Sequence, residues 1–313
     1  MTDRERTVSP VVRQKALHLG AAGEDWLAGL TDLIAELEKA WSIQVGEPLG
    51  GGFTGYVAMA RKPDGTDAVV KVCLPDPLFA REVRTIAAAR GRGYVELYAH
   101  DPDRRAMLLE ALGPTLNRSG LSPESQIEIL CDLLRRAWEV PRDTDPSADP
   151  AMDKASALAS SVAGLWEELD RPCPEQVVSR ALEFAARRAA AFDAGRCVVV
   201  HGDAAPANAL RTNLPRPGAE SGFVFVDPDG FVGDPTYDLG VALRDWCPEL
   251  QAAAEPQILA RRYSRLMATR TGMDETAIWE WGFLERVSTG LYALQVGGEE
   301  LGRPHLTTAE QLL

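Results

Sequence analysis

The stretch VVVHGDAAPANALRT, residues 198–212, ends a run of valines in His201-Gly202-Asp203 and places Asn208 five residues beyond the aspartate. A carboxylate at the end of an apolar strand can accept or orient the proton of an attacking hydroxyl, and a neutral amide oxygen nearby can serve a divalent cation. Nineteen residues after Asn208, FVFVDPDG brings a second carboxylate, Asp227, out of another apolar strand. Mg²⁺ takes carboxylate and carbonyl oxygens and few protein ligands, filling its shell from phosphates, so Asn208 and Asp227 on neighbouring loops suit it. Each residue also has an ordinary use. His201 reads best as a structural group bonded to backbone, Asp203 alone would cap a turn, and Asn208 would cap the next element.

Upstream, LGGGFTGYV sets Gly50, Gly52 and Gly55 in a G-x-G-x-x-G pattern. Alone this is weak, because a glycine-rich hairpin looks the same, and a dinucleotide site requires a helix next. The chain instead runs through a strand into AVVKV, which puts Lys71 among valines. An edge-strand lysine would face solvent, but the flanking valines argue for burial, which is costly without an anion. Glu82 is the one glutamate on the helix that follows, so Lys71–Glu82 is the expected ion pair. Glycines, Lys, Glu, Asp, Asn and Asp in this order have the parts that phosphoryl transfer needs: a grip on phosphates, metal ligands and a group to align the nucleophile.

These residues require two different scaffolds. Apolar residues at helical spacing predict a helix over 23–41, and strand-like segments follow at 42–49, 55–62, 67–74, 94–100 and 106–112, with one helix over 77–90. That pattern is an α+β lobe built on a small five-stranded antiparallel sheet with one main helix. After Leu112-Gly113-Pro114 helical periodicity takes over at 122–139, 153–169, 174–193, 236–246, 256–271 and 275–296, with strand signals only near 197–200, 209–211 and 223–226. The expected organisation is bilobal: 1–112 for nucleotide, and a larger helical lobe over 113–313 with the catalytic loop and acceptor site. PRDTDPSADP, 141–150, reads as a polar loop inside the second lobe.

Composition narrows the partners. A net charge of −13 argues against nucleic acid or an anionic membrane and is compatible with a cationic substrate. No run of about 18 apolar residues is present, so no membrane span is expected. Five scattered cysteines and a charged N-terminus without a secretory pattern point to a reduced, cytoplasmic protein. No sustained heptad stands out, and a monomer is the default expectation.

HGDAAPAN has the H-x-D-x-x-x-x-N spacing of a kinase catalytic loop, and with VDPDGFVGDPTYDLG it resembles the aminoglycoside phosphotransferase branch of the protein-kinase-like fold. The closer similarity is to the streptomycin 6-kinase and hydroxyurea phosphotransferase subfamily, through Asp227-Pro228, Gly233-Asp234-Pro235, Asp238-Leu239, the WLAGL helix and the MLLE strand. The resemblance implies ATP or GTP with Mg²⁺, Asp203 as the catalytic aspartate, and Asn208 and Asp227 as metal ligands. It further implies Lys71 on the α/β-phosphates, positioned by Glu82, and the backbone of Glu110–Leu112 on the purine. Asp238 would cap the catalytic-loop backbone.

The acceptor is less defined. Between 227 and 249 stand six carboxylates, Asp227, Asp229, Asp234, Asp238, Asp245 and Glu249, against Arg244 alone. With Glu299 and Glu300 they could hold a guanidinium or amine by charge-assisted bonds, or simply form a solvated face. Trp246, Trp279 and Trp281 could wall a sugar pocket or pack the core. Antibiotic phosphorylation is the leading expectation. A metabolite kinase acting on a sugar or amino alcohol, and a nucleotide-binding module without transfer, are the alternatives. Only ten residues separate Asp227 from Asp238, too few for a long activation segment, which favours a small acceptor over a protein.

Overall fold

The computed structural model describes residues 8–50, 54–75, 78–142 and 153–313; Gly52 and most of the 141–150 loop lie outside them. Two helices, α1 (Pro10–His18) and α2 (Ala21–Trp41), precede strands β1 (Gln44–Pro48), β2 (Gly55–Arg61) and β3 (Asp67–Cys73). Helix α3 (Leu78–Ala89) follows, then β4 (Leu97–Asp101) and β5 (Ala106–Glu110). The five strands form one antiparallel sheet in the order β1-β2-β3-β5-β4. Alternation along β3 decides the two faces. Val70 and Val72 turn towards Leu30, Ile34 and Leu37 of α2, while Lys71 points the other way, towards α3.

Gly55 is fixed by backbone crowding. A Cβ there would stand 2.2 Å from the Val72 carbonyl oxygen, so this glycine lets β2 lie close on β3. Gly50 has open space around it.

The second lobe opens with α4 (Pro123–Ala137), α5 (Lys154–Glu168) and α6 (Glu175–Ala190). Short strands β6 (Val198–Val199), β7 (Ala209–Arg211), β8 (Phe223–Phe225) and β9 (Val232–Gly233) pair as β6–β9 and β7–β8. They are followed by α7 (Pro235–Leu243), α8 (Cys247–Ala252), α9 (Pro256–Thr271), α10 (Glu275–Gln295) and α11 (Glu299–Gln311). The core of this lobe is continuous with one face of the sheet: Cys73, Met107 and Leu109 pack in the same cluster as Leu130, Phe225 and Leu284. The lobes are therefore joined by apolar packing as well as by the chain.

Helix α10 is the central beam, nearly all buried. It meets α7 so closely that a Cβ on Gly240 would lie 2.2 Å from Trp281 Cβ. No disulfide joins the five cysteines, and all are buried. Among the described residues no helix is long and apolar enough to cross a membrane.

Candidate active site

The valines of β6 end in a turn whose shape is set from below by Asp238 on α7. Its Oδ2 accepts from the His201 amide at 2.9 Å and from Trp138 Nε1 at 2.9 Å, and its Oδ1 accepts from the Gly202 amide at 2.8 Å. The carboxyl has no solvent exposure, and burial pushes it up to about 6 against those three hydrogen bonds. Gly202 turns through φ +88°, and a Cβ there would meet Asp229 Cβ at 2.5 Å.

His201 stitches this loop to the next. The Asp203 amide donates to its Nδ1 at 3.1 Å, which assigns the ring proton to Nε2, 3.0 Å from the Val226 carbonyl. The ring is fully buried, parallel to Tyr94 at 5.9 Å and tilted against Phe225 at 4.5 Å. Burial lowers its pKa to about 4. Two more bonds join the loops, Val226 N–H to Asn208 O at 2.9 Å and Asp229 N–H to His201 O at 2.7 Å. Neutral and sealed, His201 is a strut.

Asp203 leaves this frame with its carboxyl 42% exposed. Asn208 Nδ2 donates to its Oδ2 and to its main-chain carbonyl, both at 2.8 Å, and Arg244, at the end of α7, donates to Oδ1. Burial would raise the Asp203 carboxyl, but the Arg244 charge and these bonds hold it below the usual aspartate value. Arg244 also donates to Glu285 on α10 at 3.0 Å, and Glu285 accepts from Tyr237 Oη at 2.7 Å.

A second cation sits on the sheet side. Lys71 Nζ lies 2.6 Å from Glu82 and 2.9 Å from Asp227, tying β3, α3 and the β8–β9 loop together. Burial alone would discharge Lys71, but the Asp227 and Glu82 carboxylates hold its pKa well above the ordinary value. Burial pushes Glu82 up to about 7. Asp227 adopts φ +57°, uncommon for a residue with a side chain, and so turns its carboxyl, 39% exposed, towards the lysine.

The donor set fits a magnesium ion bound with nucleotide. Asn208 spends Nδ2 on Asp203, which leaves Oδ1 as a ligand, and Asp227 commits only Oδ1 to Lys71. Among the described residues no three His, Cys, Asp or Glu side chains form a metal cage.

Other expected residues have different surroundings. The Glu110 carboxylate pairs with Arg216 at 2.8 Å, its amide donates to Glu96 O at 2.9 Å, and Ala111 O accepts from Asn213 at 2.8 Å. These groups are therefore committed, whereas Leu112 lies half-buried just beyond them. The acidic run disperses. Asp234 caps α7 through Thr236 N–H and accepts from Trp281 Nε1 at 3.3 Å. Asp245 is partly buried near Arg244 and Arg286, its carboxyl raised to about 6 by burial. Glu249 is exposed on α8, and Glu299 and Glu300 are exposed on α11, where Glu299 pairs with Arg303 at 2.9 Å. Asp229 sits against the Asp203 loop, its amide donating to His201 O at 2.7 Å and its side chain packed on Gly202. Burial and then the Asp203 charge raise it to about 6.

Trp246 and Trp281 pack inside the lobe, Trp246 bonded to Gln126 and Trp281 set against α7, while Trp279 is buried beneath Arg261. Three participants had no assigned role in the sequence: Arg244, Glu285 and Lys154, whose ammonium stands 5.4 Å from the Phe231 ring and 5.7 Å from that of Tyr237. Arg244 had a signal, as the lone base amid six acids. Glu285 had a fainter one, an acid in an apolar helix.

A two-lobed α+β fold with a buried lysine pair on one side of a cleft and an Asp/Asn loop on the other defines a protein-kinase-like phosphotransferase. The family of aminoglycoside/hydroxyurea antibiotic resistance kinases matches residues 40–297, and the chain belongs to that family. It is 24% identical over 306 residues to a streptomycin 6-kinase of Streptomyces glaucescens, covering 97% of this chain and 95% of that one. It is 26% identical over 299 residues to a hydroxyurea phosphotransferase of Kitasatospora aureofaciens, covering 94% of this chain and 82% of the relative. Among solved structures it is similar to the aminoglycoside phosphotransferase APH(3'')-Id of Streptomyces rimosus in complex with ADP and streptomycin. That TM-score is 0.53 at 18% identity, covering 83% of this chain and 98% of that one.

The buried imidazole makes stability depend on pH. With its folded pKa near 4 against 6.5 ordinarily, the unfolded chain binds the proton first as pH falls. The contribution of His201 is thus complete above pH 6.5 and lost on the way down to pH 4. Urea unfolding should show the advantage of wild type over His201→Gln shrinking by about 3 kcal/mol from pH 7 to pH 4. A constant difference would contradict the neutral, buried assignment.

Proposed function

We propose that the protein transfers the γ-phosphoryl group of ATP or GTP to a hydroxyl of a small cationic or polar acceptor, of the streptomycin or hydroxyurea kind. The observation that carries the reading is the half-exposed Asp203 carboxylate, held ionised by Arg244 and Asn208 beside a loop whose Asp227 is tied to Lys71. Asp203 aligns the acceptor hydroxyl and receives its proton as the new P–O bond forms, while the bond to the bridging oxygen breaks and the nucleoside diphosphate leaves. Lys71 holds the phosphates in this role, and Glu82 keeps the lysine charged and in place. Mg²⁺ held by Asn208 and Asp227 would neutralise charge on the phosphates. Gly50, Gly52 and Gly55 would line the phosphate loop, with Gly55 also serving the strand contact.

Asp229 is the acidic group we assign to a cationic part of the acceptor, since Asp234 and Asp238 are taken up by caps and Asp245 has its Oδ2 buried in the field of Arg244 and Arg286. Glu249, Glu299 and Glu300 would then act at most through their field. The enzyme is proposed to work as a cytoplasmic monomer, with no nucleic-acid or membrane partner.

Purified protein with Mg-ATP and a panel including streptomycin and hydroxyurea, read by ADP release, tests the reaction. With an acceptor in hand, Asp203→Ala should abolish turnover while ADP affinity stays within about twofold; unchanged kcat would refute the assignment. Asp227→Ala should weaken Mg-nucleotide binding, by roughly tenfold or more, with less effect on binding without the metal. Equal loss in both conditions would count against a metal role. Arg244→Met should lower kcat by roughly tenfold or more with little change in nucleotide affinity, because it frees the Asp203 side chain from its fixed orientation. A variant that alters KM for nucleotide alone would overturn that role.

A further inference from the structure

A cavity of about 580 Å³ opens between α6, α9 and α10, outside the site described above. Its size falls within the range of small-molecule sites. Its chemistry is opposite to that of the whole chain. Arg180, Arg261, Arg262 and Arg265 line it, and no acidic side chain does, although the protein carries a net charge of −13.

Buried Phe184, Trp279 and Phe283 lie beneath it, and the more exposed Ile258 and Leu313 complete its apolar lining. The guanidinium of Arg261 lies flat enough over Trp279 to sit 3.7 Å from the ring centroid, and that of Arg180 lies 5.7 Å from Phe184. A guanidinium as close to a ring as that of Arg261 has one face covered by carbon and keeps its edge N–H groups available. Arg262 and Arg265 pair with Glu124 at 3.2 Å and Glu275 at 3.4 Å, carboxylates set outside the cavity, and both arginines remain well exposed. Burial, the largest influence on Arg261, lowers its pKa, so part of its hydration is already lost. An incoming anion would find Arg261, held in place and partly desolvated, beside the well-exposed Arg265.

Helix geometry separates this cavity from the catalytic centre. Trp279 and Phe283 are four residues apart and share one face of α10. Trp281 and Glu285, also four apart, share the face that meets α7 and Arg244. The cavity and the acceptor cleft are therefore reached from opposite sides of one helix.

We propose that this cavity is a second ligand site, for a planar aromatic anion: a carboxylate or phosphate carried on a ring. The ring lies on the outer face of the Arg261 guanidinium, opposite Trp279 and beside Ile258, and the anionic group meets the edge of Arg265.

Calorimetric titration with 2-naphthoate, in the presence of saturating ADP and Mg²⁺ to occupy the nucleotide cleft, tests the site. One molecule should bind per chain, and the neutral 2-naphthylmethanol should bind about tenfold more weakly or worse. Arg261→Glu should weaken naphthoate by about tenfold or more, and the exposed Arg265→Ala, which threatens the fold least, by a smaller measurable factor. Thermal unfolding of both variants establishes that they are folded. Equal naphthoate binding by wild type and both variants, equal binding of the neutral analogue, or no binding at millimolar naphthoate would each overturn the proposal.

Discussion

A buried lysine and a largely buried arginine organise the cleft, and each is shared by two carboxylates of unequal exposure. Lys71 joins sealed Glu82 to Asp227, and Arg244 joins Glu285, 5% exposed, to Asp203. A cation taken out of water is tolerable only with close, well-oriented anions, so the inner carboxylate of each set anchors the cation. The anchored cation then fixes the outer carboxylate at the cleft surface. Asp203 and Asp227 are thereby presented to solvent in one orientation without being buried themselves. The same pairing keeps Asp203 ionised, which suits the role proposed for it in aligning a hydroxyl at neutral pH.

The backbone beneath needs a separate support. Asp238 terminates three N–H groups of a turn and a tryptophan that would otherwise be buried without partners. Its position on α7 sets Asp203 relative to Arg244, because the same helix carries both Asp238 and, at its end, the arginine. Helix α10 then locates α7 through the Gly240–Trp281 approach and the Glu285–Arg244 bond. The catalytic loop, α7 and α10 therefore form one mechanical unit.

Much of this was readable because its signals are local or unusual. A lysine among valines, followed by a helix with one glutamate, names its own partner, and the observed 2.6 Å pair is that partner. The sheet lobe and helical lobe followed from periodicity of two and then of 3.6. Legibility failed where the deciding contact is distant in sequence. Arg244 meets Glu285 forty-one residues away, and nothing in spacing announces it. Charge counting also misled: six acids between 227 and 249 suggested a pooled field, yet Asp234 and Asp238 are consumed by N–H groups that only the fold brings near. Helix α11 escaped the periodicity reading because Pro304 interrupts its pattern, and α8 because it is only six residues long.

The dispersal of the acids bears on what the cleft can select. A polycation recognised by a pool of free carboxylates would bind with little geometric discrimination, since exposed ion pairs contribute weakly and are screened. Here Asp229 stands beside Asp203, held through its own amide to His201 O, with Lys154 close enough to act on its charge. On the proposed assignment, a cationic group on an acceptor would compete with Lys154 for Asp229 while its hydroxyl reached Asp203. Selection would then rest on the separation between cation and hydroxyl within the acceptor, a geometric criterion that total charge does not supply. The same backbone bonds that join the two loops fix the spacing of the two carboxylates, so the frame that orients Asp203 would also set which molecules fit.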